Sequence, residues 1–299
     1  MGKCNCNTGL FNLQPAGCIV KPSVTRKFIF VEYFKSDGTI NGIDLSSTFG
    51  EAEIDALINQ TDKSLRWYLT DSVSNFTTER ADPNTEAIDN VNYITSQGAR
   101  TMGADFLGSS SELANKINSN NCVELGVYLI DEDNGVSGIV NRDLYLDPIR
   151  LERNAFGKIV FPTEASIFKV SYSSTWQKSV QDGDVRTLEY SEHGTDLLNK
   201  RGLIDVAERN TASVSSTTTT VHFAVTNGSA KGIDYTGLLV GDFTMMNTTT
   251  GLPVAVTLSV ENPDGTYLLT YVAQTTSDLG TVTASKTGFE FETGNFIYQ

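Results

Sequence analysis

Residues 254–271 have the sequence VAVTLSVENPDGTYLLTY. The residues Asn262-Pro263-Asp264-Gly265 are a combination typical of a tight turn. On each side of them lies a run in which apolar and polar side chains alternate. Similar runs begin at Val221 and Gly241, and Gly, Pro, Asn or Asp interrupts this part of the chain at intervals of roughly ten residues. Alternation with period two and closely spaced turns is characteristic of a small β-sandwich. We therefore predict a separate β-sandwich over residues 210–299.

Residues 25–209 predict a larger, mainly β domain with two or three short helices. Thr48 and Glu51 have the spacing of a capping box, and Ile54, Leu57 and Ile58 follow on one helical face. The polar stretch 81–103 is predicted to leave the domain body as a β-hairpin. A second helix is expected to begin near residue 109, and strands are expected over residues 27–34, 65–69, 73–80, 122–130, 158–162 and 167–176.

Residues 1–24 predict an irregular arm that contains Cys4, Cys6 and Cys18. A zinc clip is one interpretation, but the spacing differs from that of the common zinc knuckles. Reduced thiols, or a local disulfide formed after release from the cell, agree better with the spacing. The arm has apolar side chains without a core of its own, and we expect it to dock on a neighbouring subunit through Leu10, Phe11, Leu13, Ile19 and Val20.

The chain has 299 residues and a formal net charge of −14. An acidic surface disfavours sequence-independent binding to nucleic acid, because phosphates repel it. The sequence has no apolar run of about eighteen residues, so we expect no membrane-spanning helix. The N-terminal residues do not resemble a secretion signal, and the cytoplasm of the producing cell is the expected site of synthesis.

Motifs of catalysis and metal binding are missing from the sequence. The two histidines, His193 and His222, lie in different predicted domains, which disfavours histidine-based metal triads and Ser-His-Asp relays. The stretch Asp131-Glu132-Asp133-Asn134-Gly135 suggests calcium, but an EF-hand loop would require different residues at its fifth, sixth and twelfth positions. We interpret it as an acidic turn. The expectation is a protein that is not an enzyme and that uses no cofactor or metal.

The N-terminal sequence Cys4-Asn5-Cys6-Asn7-Thr8-Gly9-Leu10, with Cys18 downstream, resembles those of virion structural proteins of phages that infect Bacteroidetes. The body resembles phage tail tube proteins in its order of first strand, capped helix, long loop, second helix and long strands. The segment from Gly251 to Tyr267 resembles the C-terminal immunoglobulin-like domain that many tube proteins carry.

This resemblance implies a virion protein that forms stacked hexameric rings around a DNA conduit, made in the host cytoplasm. Its partners would be copies of itself and other virion proteins, while DNA would pass an acidic lumen without specific binding. The arm and the long loop would make the contacts between subunits, with the loop contributing Asn84, Thr85, Glu86, Tyr93 and Gln97.

Two alternatives remain open at this stage. A head–tail connector, ring or capsid-decoration protein of a phage would have the same parts. A carbohydrate-binding or adhesin module would recognise a glycan on the host surface through the C-terminal domain, and it would require exposed aromatic side chains there.

Overall fold

The protein forms two compact units, residues 1–202 and residues 203–299. Both consist mainly of β-strands, so the predicted mainly β fold class is confirmed. The predicted boundary at residue 210 lies inside the strand Ile204–Ser215, whose ladder belongs entirely to the second unit. The computed structural model describes residues 4–5, 19–20, 23–88, 91–96, 98–107, 123–140, 144–152, 169–177, 185–225 and 232–299.

The elements of the N-terminal unit are numbered in chain order. Among the described residues of this unit, the helices are α1 (Glu51–Ile58) and α2 (Tyr190–His193). The strands are β1 (Cys4–Asn5), β2 (Ile19–Val20), β3 (Thr25–Glu32), β4 (Ile43–Asp44), β5 (Tyr68–Leu69), β6 (Val73–Arg80), β7 (Asn84–Ile88), β8 (Val91–Ser96), β9 (Arg100–Leu107), β10 (Leu125–Asp131), β11 (Val136–Ile139), β12 (Tyr145–Leu146), β13 (Ile149–Arg150), β14 (Lys169–Thr175) and β15 (Val185–Leu188). The helix predicted near residue 109 and the strand predicted over 158–162 lie outside the described residues.

The central sheet of this unit has the strand order β15-β11-β10-β3-β5, and β13 also pairs with β10. Strands β3 and β10 are antiparallel, with Phe30 opposite Val127 and Ile29 opposite Tyr128. Because successive side chains of a strand point to opposite faces, the two runs contribute apolar side chains to both sides of the sheet. Both sides are buried.

A second sheet, with the order β14-β9-β6, covers one face of the central sheet. The two sheets enclose an apolar core, as in a β-sandwich. Phe28 lies in this core and makes edge-on contacts with Phe30, Phe76 and Phe106 at ring-centroid distances of 5.9 Å. The buried members are Phe28, Val73, Met102, Ala104, Phe106, Val127, Leu129, Ile139, Ile149, Leu151 and Trp176.

Helix α1 contributes to the core on the other face of the central sheet through Ile54 and Ile58. The predicted capping pair of Thr48 and Glu51 is wrong by two residues, since Gly50 is the N-cap. Glu53 accepts the Gly50 N–H at 2.9 Å, so its carboxylate provides the capping bond. The remaining members of this core are Ile29, Val31, Ile43, Trp67, Tyr128, Ile130, Val136, Leu146, Leu188 and Leu197.

The C-terminal unit is a second sandwich. A 3₁₀ turn spans Val240–Asp242. Its strands are β16 (Ile204–Ser215), β17 (Thr218–Val225), β18 (Ile233–Asp234), β19 (Phe243–Asn247), β20 (Leu252–Val254), β21 (Val256–Glu261), β22 (Thr266–Tyr271), β23 (Leu279–Ala284), β24 (Phe289–Phe291) and β25 (Gly294–Ile297).

One sheet of this unit has the order β21-β22-β17-β16-β24, and the other has the order β20-β19-β23-β25. If β16, β17, β19, β20, β21, β22, β23 and β25 are designated A, B, C, C′, D, E, F and G, the sheets read D-E-B-A and C′-C-F-G. This is the strand arrangement of the immunoglobulin fold. The short strand β24 extends the first sheet by pairing in parallel with β16. The predicted immunoglobulin-like sandwich is confirmed.

Alkaline pH should destabilise the C-terminal unit. Burial raises the pKa of Tyr267 and of Tyr298 to about 12, whereas an exposed tyrosine has a pKa of about 10. The unfolded chain therefore loses these protons first, and stability that is complete below pH ~10 is lost as the pH rises toward ~12. We expect the stability of the Tyr298→Phe variant to decrease less over this pH range than that of wild type, when unfolding is followed by circular dichroism. The same loss in Tyr298→Phe and in wild type would contradict this account.

Candidate assembly surface

The hairpin of β7 and β8, hereafter the arm hairpin, is an exposed element of the N-terminal unit. Its strands form a two-stranded sheet of their own. Every side chain described between Ala81 and Thr95 is exposed. A two-stranded hairpin without a covering partner is only marginally stable in water, so the arm hairpin would gain stability from docking against another surface.

Apolar side chains occupy both faces of the arm hairpin. Val91, Tyr93 and Ile94 are 51%, 52% and 59% exposed. Tyr93 lies opposite Glu86 in the ladder, and Ile94 lies opposite Thr85. Because Tyr93 and Ile94 are consecutive in a strand, they point to opposite faces. A partner that enclosed the hairpin would therefore bury apolar surface on two sides.

The arm hairpin grows out of the pair β6–β9, which is fixed in the first core of the N-terminal unit. A bulge interrupts this pair between Ser74 and Thr77, and Asn75 there has a φ of 51° and donates to Asp105 at 2.7 Å. Arg100, at the base, donates to the Thr78 hydroxyl at 2.9 Å and lies over the Trp176 ring at 4.2 Å from its centroid. The base of the arm hairpin is thus held in place by the body of the N-terminal unit.

Gly98 is required where the hairpin returns to the body. A Cβ atom at this position would lie 1.8 Å from the carbonyl oxygen of Ala81, well inside van der Waals contact. The neighbouring Ala81 N–H donates to the Ala99 carbonyl at 2.9 Å and continues the ladder of β6 and β9. Close backbone approach at this position therefore excludes any side chain.

The predicted assembly residues fall into three groups. Asn84, Thr85, Glu86 and Tyr93 lie together on the arm hairpin, and all are exposed. Ile19 and Val20 form β2, which pairs with Cys4 and Asn5. The remaining predicted residues, Leu10, Phe11, Leu13 and Gln97, lie outside the described residues.

The predicted assembly residues do not include Val91 and Ile94, which the structure places exposed on the arm hairpin. The run Val91-Asn92-Tyr93-Ile94-Thr95 is rich in β-branched and aromatic residues, which is a recognisable strand signal. Polar residues around this run obscure the signal, so Tyr93 is the one member of the run among the predicted contact residues.

Both sheets of the N-terminal sandwich end in strands that are paired on one side among the described residues. These edge strands are β5 and β15 in the central sheet and β6 in the second sheet. Strand β14 is open only before its last residue, because the Thr175 carbonyl also accepts the Glu152 N–H at 2.9 Å. An edge strand presents backbone N–H and C=O groups that another chain can pair with. The unit therefore has lateral edges as well as the arm hairpin.

The acidic turn 131–135 has a structural role. The Asp131 carboxylate is buried and accepts the N–H groups of Ser23, Asp133 and Gly135 at 3.1, 3.0 and 2.7 Å. Asn134 has a φ of 64°, which asparagine tolerates better than most residues. Across the described ranges, no group of three or more His, Cys, Asp or Glu side chains is arranged to hold a metal ion.

The aromatic residues of the C-terminal unit are mostly core residues. Phe223, Phe243, Tyr267, Tyr271, Phe296 and Tyr298 are buried. Tyr235, Phe289 and Phe291 are half-buried, and Tyr235 contacts the other two rings edge-on at 4.9 and 5.0 Å. A sugar-binding platform usually presents an open aromatic face, so this cluster gives the glycan alternative little support.

Comparison with known proteins leaves the family open. No protein-family model matches the chain, and no curated protein matches it significantly. Among solved structures, the N-terminal part of the bacterial S-layer protein SbsC aligns with 32% of this chain and 24% of its own, at 19% identity and a TM-score of 0.25. The chain thus spans about a quarter of the length of that solved N-terminal part. Within the described residues, no helix is both long and apolar enough to cross a membrane.

Proposed function

We propose that the protein is a structural subunit that assembles with copies of itself into stacked rings, as the tail tube subunit of a phage. The observation that carries this proposal is the arm hairpin, which exposes apolar side chains on both faces and is held in place at its base. A subunit that acted alone would gain nothing from such an element, whereas a ring contact would cover it.

Two further features support the proposal. The edge strands of the N-terminal sandwich would pair with neighbouring copies, and closure into a ring would leave no sheet edge exposed. The net charge of −14 would favour a lumen that repels DNA and lets it slide without binding. In this proposal the immunoglobulin-like unit is displayed on the virion and takes no part in the ring.

The Ile94→Asp variant tests the role of the arm hairpin. A carboxylate buried in the contact would lack a partner, and a cost of about 3 kcal/mol corresponds to an increase of about 100-fold in the protein concentration needed for assembly. The matched control is Ile297→Asp in β25, because Ile297 is 56% exposed and Ile94 is 59% exposed. Assembly is measured by sedimentation velocity and negative-stain microscopy of the full-length protein.

The expected result is that wild type and Ile297→Asp form rings or tubes under conditions in which Ile94→Asp remains monomeric and folded. If Ile94→Asp assembles as readily as wild type, the arm hairpin does not make the contact. If wild type remains monomeric at high concentration and in moderate salt, self-assembly of the purified chain is contradicted.

A further inference from the structure

His193, the last residue of α2, is buried, and both of its ring nitrogens are in use. Nε2 donates to the carbonyl oxygen of Asn134 at 2.9 Å, and Nδ1 accepts the backbone N–H of Thr195 at 3.1 Å. A backbone N–H can only donate and a carbonyl can only accept, so these partners define the neutral ring with its proton on Nε2. A second proton on Nδ1 would point at the Thr195 N–H.

The segment that follows, residues 195–200, is hereafter the strap, and it is the last part of the N-terminal unit before the boundary at Gly202. Leu198 donates its N–H to the Asn134 side-chain oxygen at 2.9 Å. The buried Lys27 ammonium donates to the carbonyls of Leu197 and Leu198 at 3.2 and 3.3 Å, and also to that of Lys200. Asn134 therefore forms hydrogen bonds both to His193, through its backbone carbonyl, and to the strap, through its side chain.

The charged groups around His193 come from each neighbouring element. Glu192 of α2 accepts the Glu189 N–H, Glu53 of α1 accepts the Gly50 N–H, and Asp131 accepts N–H groups of its own turn. The turn also carries Glu132 and Asp133, which are exposed. On the strap side are Asp196 and the cations Lys27 and Lys200, and the Lys200 ammonium is paired with Glu51 and Asp55.

Burial is the largest influence on His193, and it lowers the pKa of the imidazole below its ordinary value. The Asn134 carbonyl and the Glu192 carboxylate act in the opposite direction and are weaker. A histidine outside this site would have a pKa of about 6.5. The imidazole therefore binds a proton more readily when it has left this buried site than when it is held in it. As the pH falls below ~6.5, protonation favours the state in which the ring has left the site.

We propose that protonation of His193 loosens the strap at its first residue and so makes the last segment of the N-terminal unit sensitive to pH. The imidazolium has N–H donors at both nitrogens, and the one at Nδ1 opposes the Thr195 N–H. One of the two donors must move away, which breaks the bond that begins the strap. This inference rests on the N-terminal unit alone, and it holds whether or not the subunit forms rings.

Hydrogen exchange of the full-length protein at pH 7.5 and pH 5.5, corrected for intrinsic exchange rates, tests the proposal. We expect strap amides to lose up to about tenfold in protection at pH 5.5, because one pH unit below the ordinary pKa corresponds to a factor of ten. The His193→Gln variant retains a side-chain donor and does not titrate, so its strap should exchange equally at both pH values. His222→Gln is the matched control, since His222 is the other histidine of the chain and bonds to Asp234 in the C-terminal unit.

The proposal is overturned if the wild-type strap is equally protected at both pH values, or if His193→Gln shows the same loss as wild type. Should His193→Gln fail to fold, the His222→Gln protein leaves His193 as the only histidine, and its ring can be titrated by NMR. Protonation of His193 should then coincide with loss of strap protection. A ring that becomes protonated while the strap remains protected would equally overturn the proposal.

Discussion

Replacement of Phe28 with alanine should lower the free energy of unfolding of the N-terminal unit by about 3–5 kcal/mol. Phe28 is fully buried between the two sheets, and its ring makes edge-on contacts with three other phenylalanines. Truncation removes these contacts and leaves a cavity that the surrounding strands cannot readily close. Because Phe28 lies on β3, an interior strand of the central sheet, backbone movement there would disturb both cores of the unit.

Tryptophan fluorescence during urea unfolding measures this effect specifically. The chain has two tryptophans, Trp67 and Trp176, and both are buried in the N-terminal unit. Phe34→Ala is the control, because Phe34 is 37% exposed and should cost about 1 kcal/mol or less. A Phe28→Ala effect no larger than that of Phe34→Ala would show that the core does not depend on this ring.

Replacement of Tyr267 with alanine should have an effect of similar size, about 3–5 kcal/mol, on the C-terminal unit. The ring is fully buried and packs against Phe243 at 5.4 Å. Its hydroxyl accepts the Leu238 N–H at 3.2 Å and donates to the Tyr235 carbonyl at 3.0 Å. Truncation would therefore open a cavity and also leave buried backbone groups of the segment 235–238 unpaired.

Tyr267→Phe separates the two contributions, since it removes only the hydroxyl. We expect it to cost about 1–3 kcal/mol. Because this unit contains no tryptophan, its unfolding is followed by hydrogen exchange of its peptides. Equal effects of the two substitutions would mean that packing of the ring contributes nothing, contrary to its burial.

The sequence was sufficient to predict the elements whose side chains follow a simple period. The apolar run 27–34 corresponds to β3 at Thr25–Glu32, and the run 122–130 corresponds to β10 at Leu125–Asp131. Both strands are buried on two faces, and a continuous apolar run is the local sign of such a strand. The same reasoning identified the C-terminal sandwich, since its strands alternate and its turns contain Gly, Pro, Asn and Asp.

Other features depend on residues that are far apart in the chain. Lys27 and Leu197 are separated by 170 positions, and His193 and Asn134 are separated by 59. Neither pair has a local pattern, so the strap could not be predicted. The boundary between the units was placed too late because Asn210 and Thr211 resemble a linker, whereas their backbones pair within β16 and β17.

The three apolar cores have a consequence for how this chain can change over generations. Each core draws its buried residues from one side of Gly202 only, and the C-terminal sandwich is a single uninterrupted stretch of sequence. A recombination event near the codon for Gly202 would therefore exchange the entire immunoglobulin-like module without separating any two residues that share a core. The sequence of the immunoglobulin-like module and that of the remaining body can thus change separately without disrupting any of these cores.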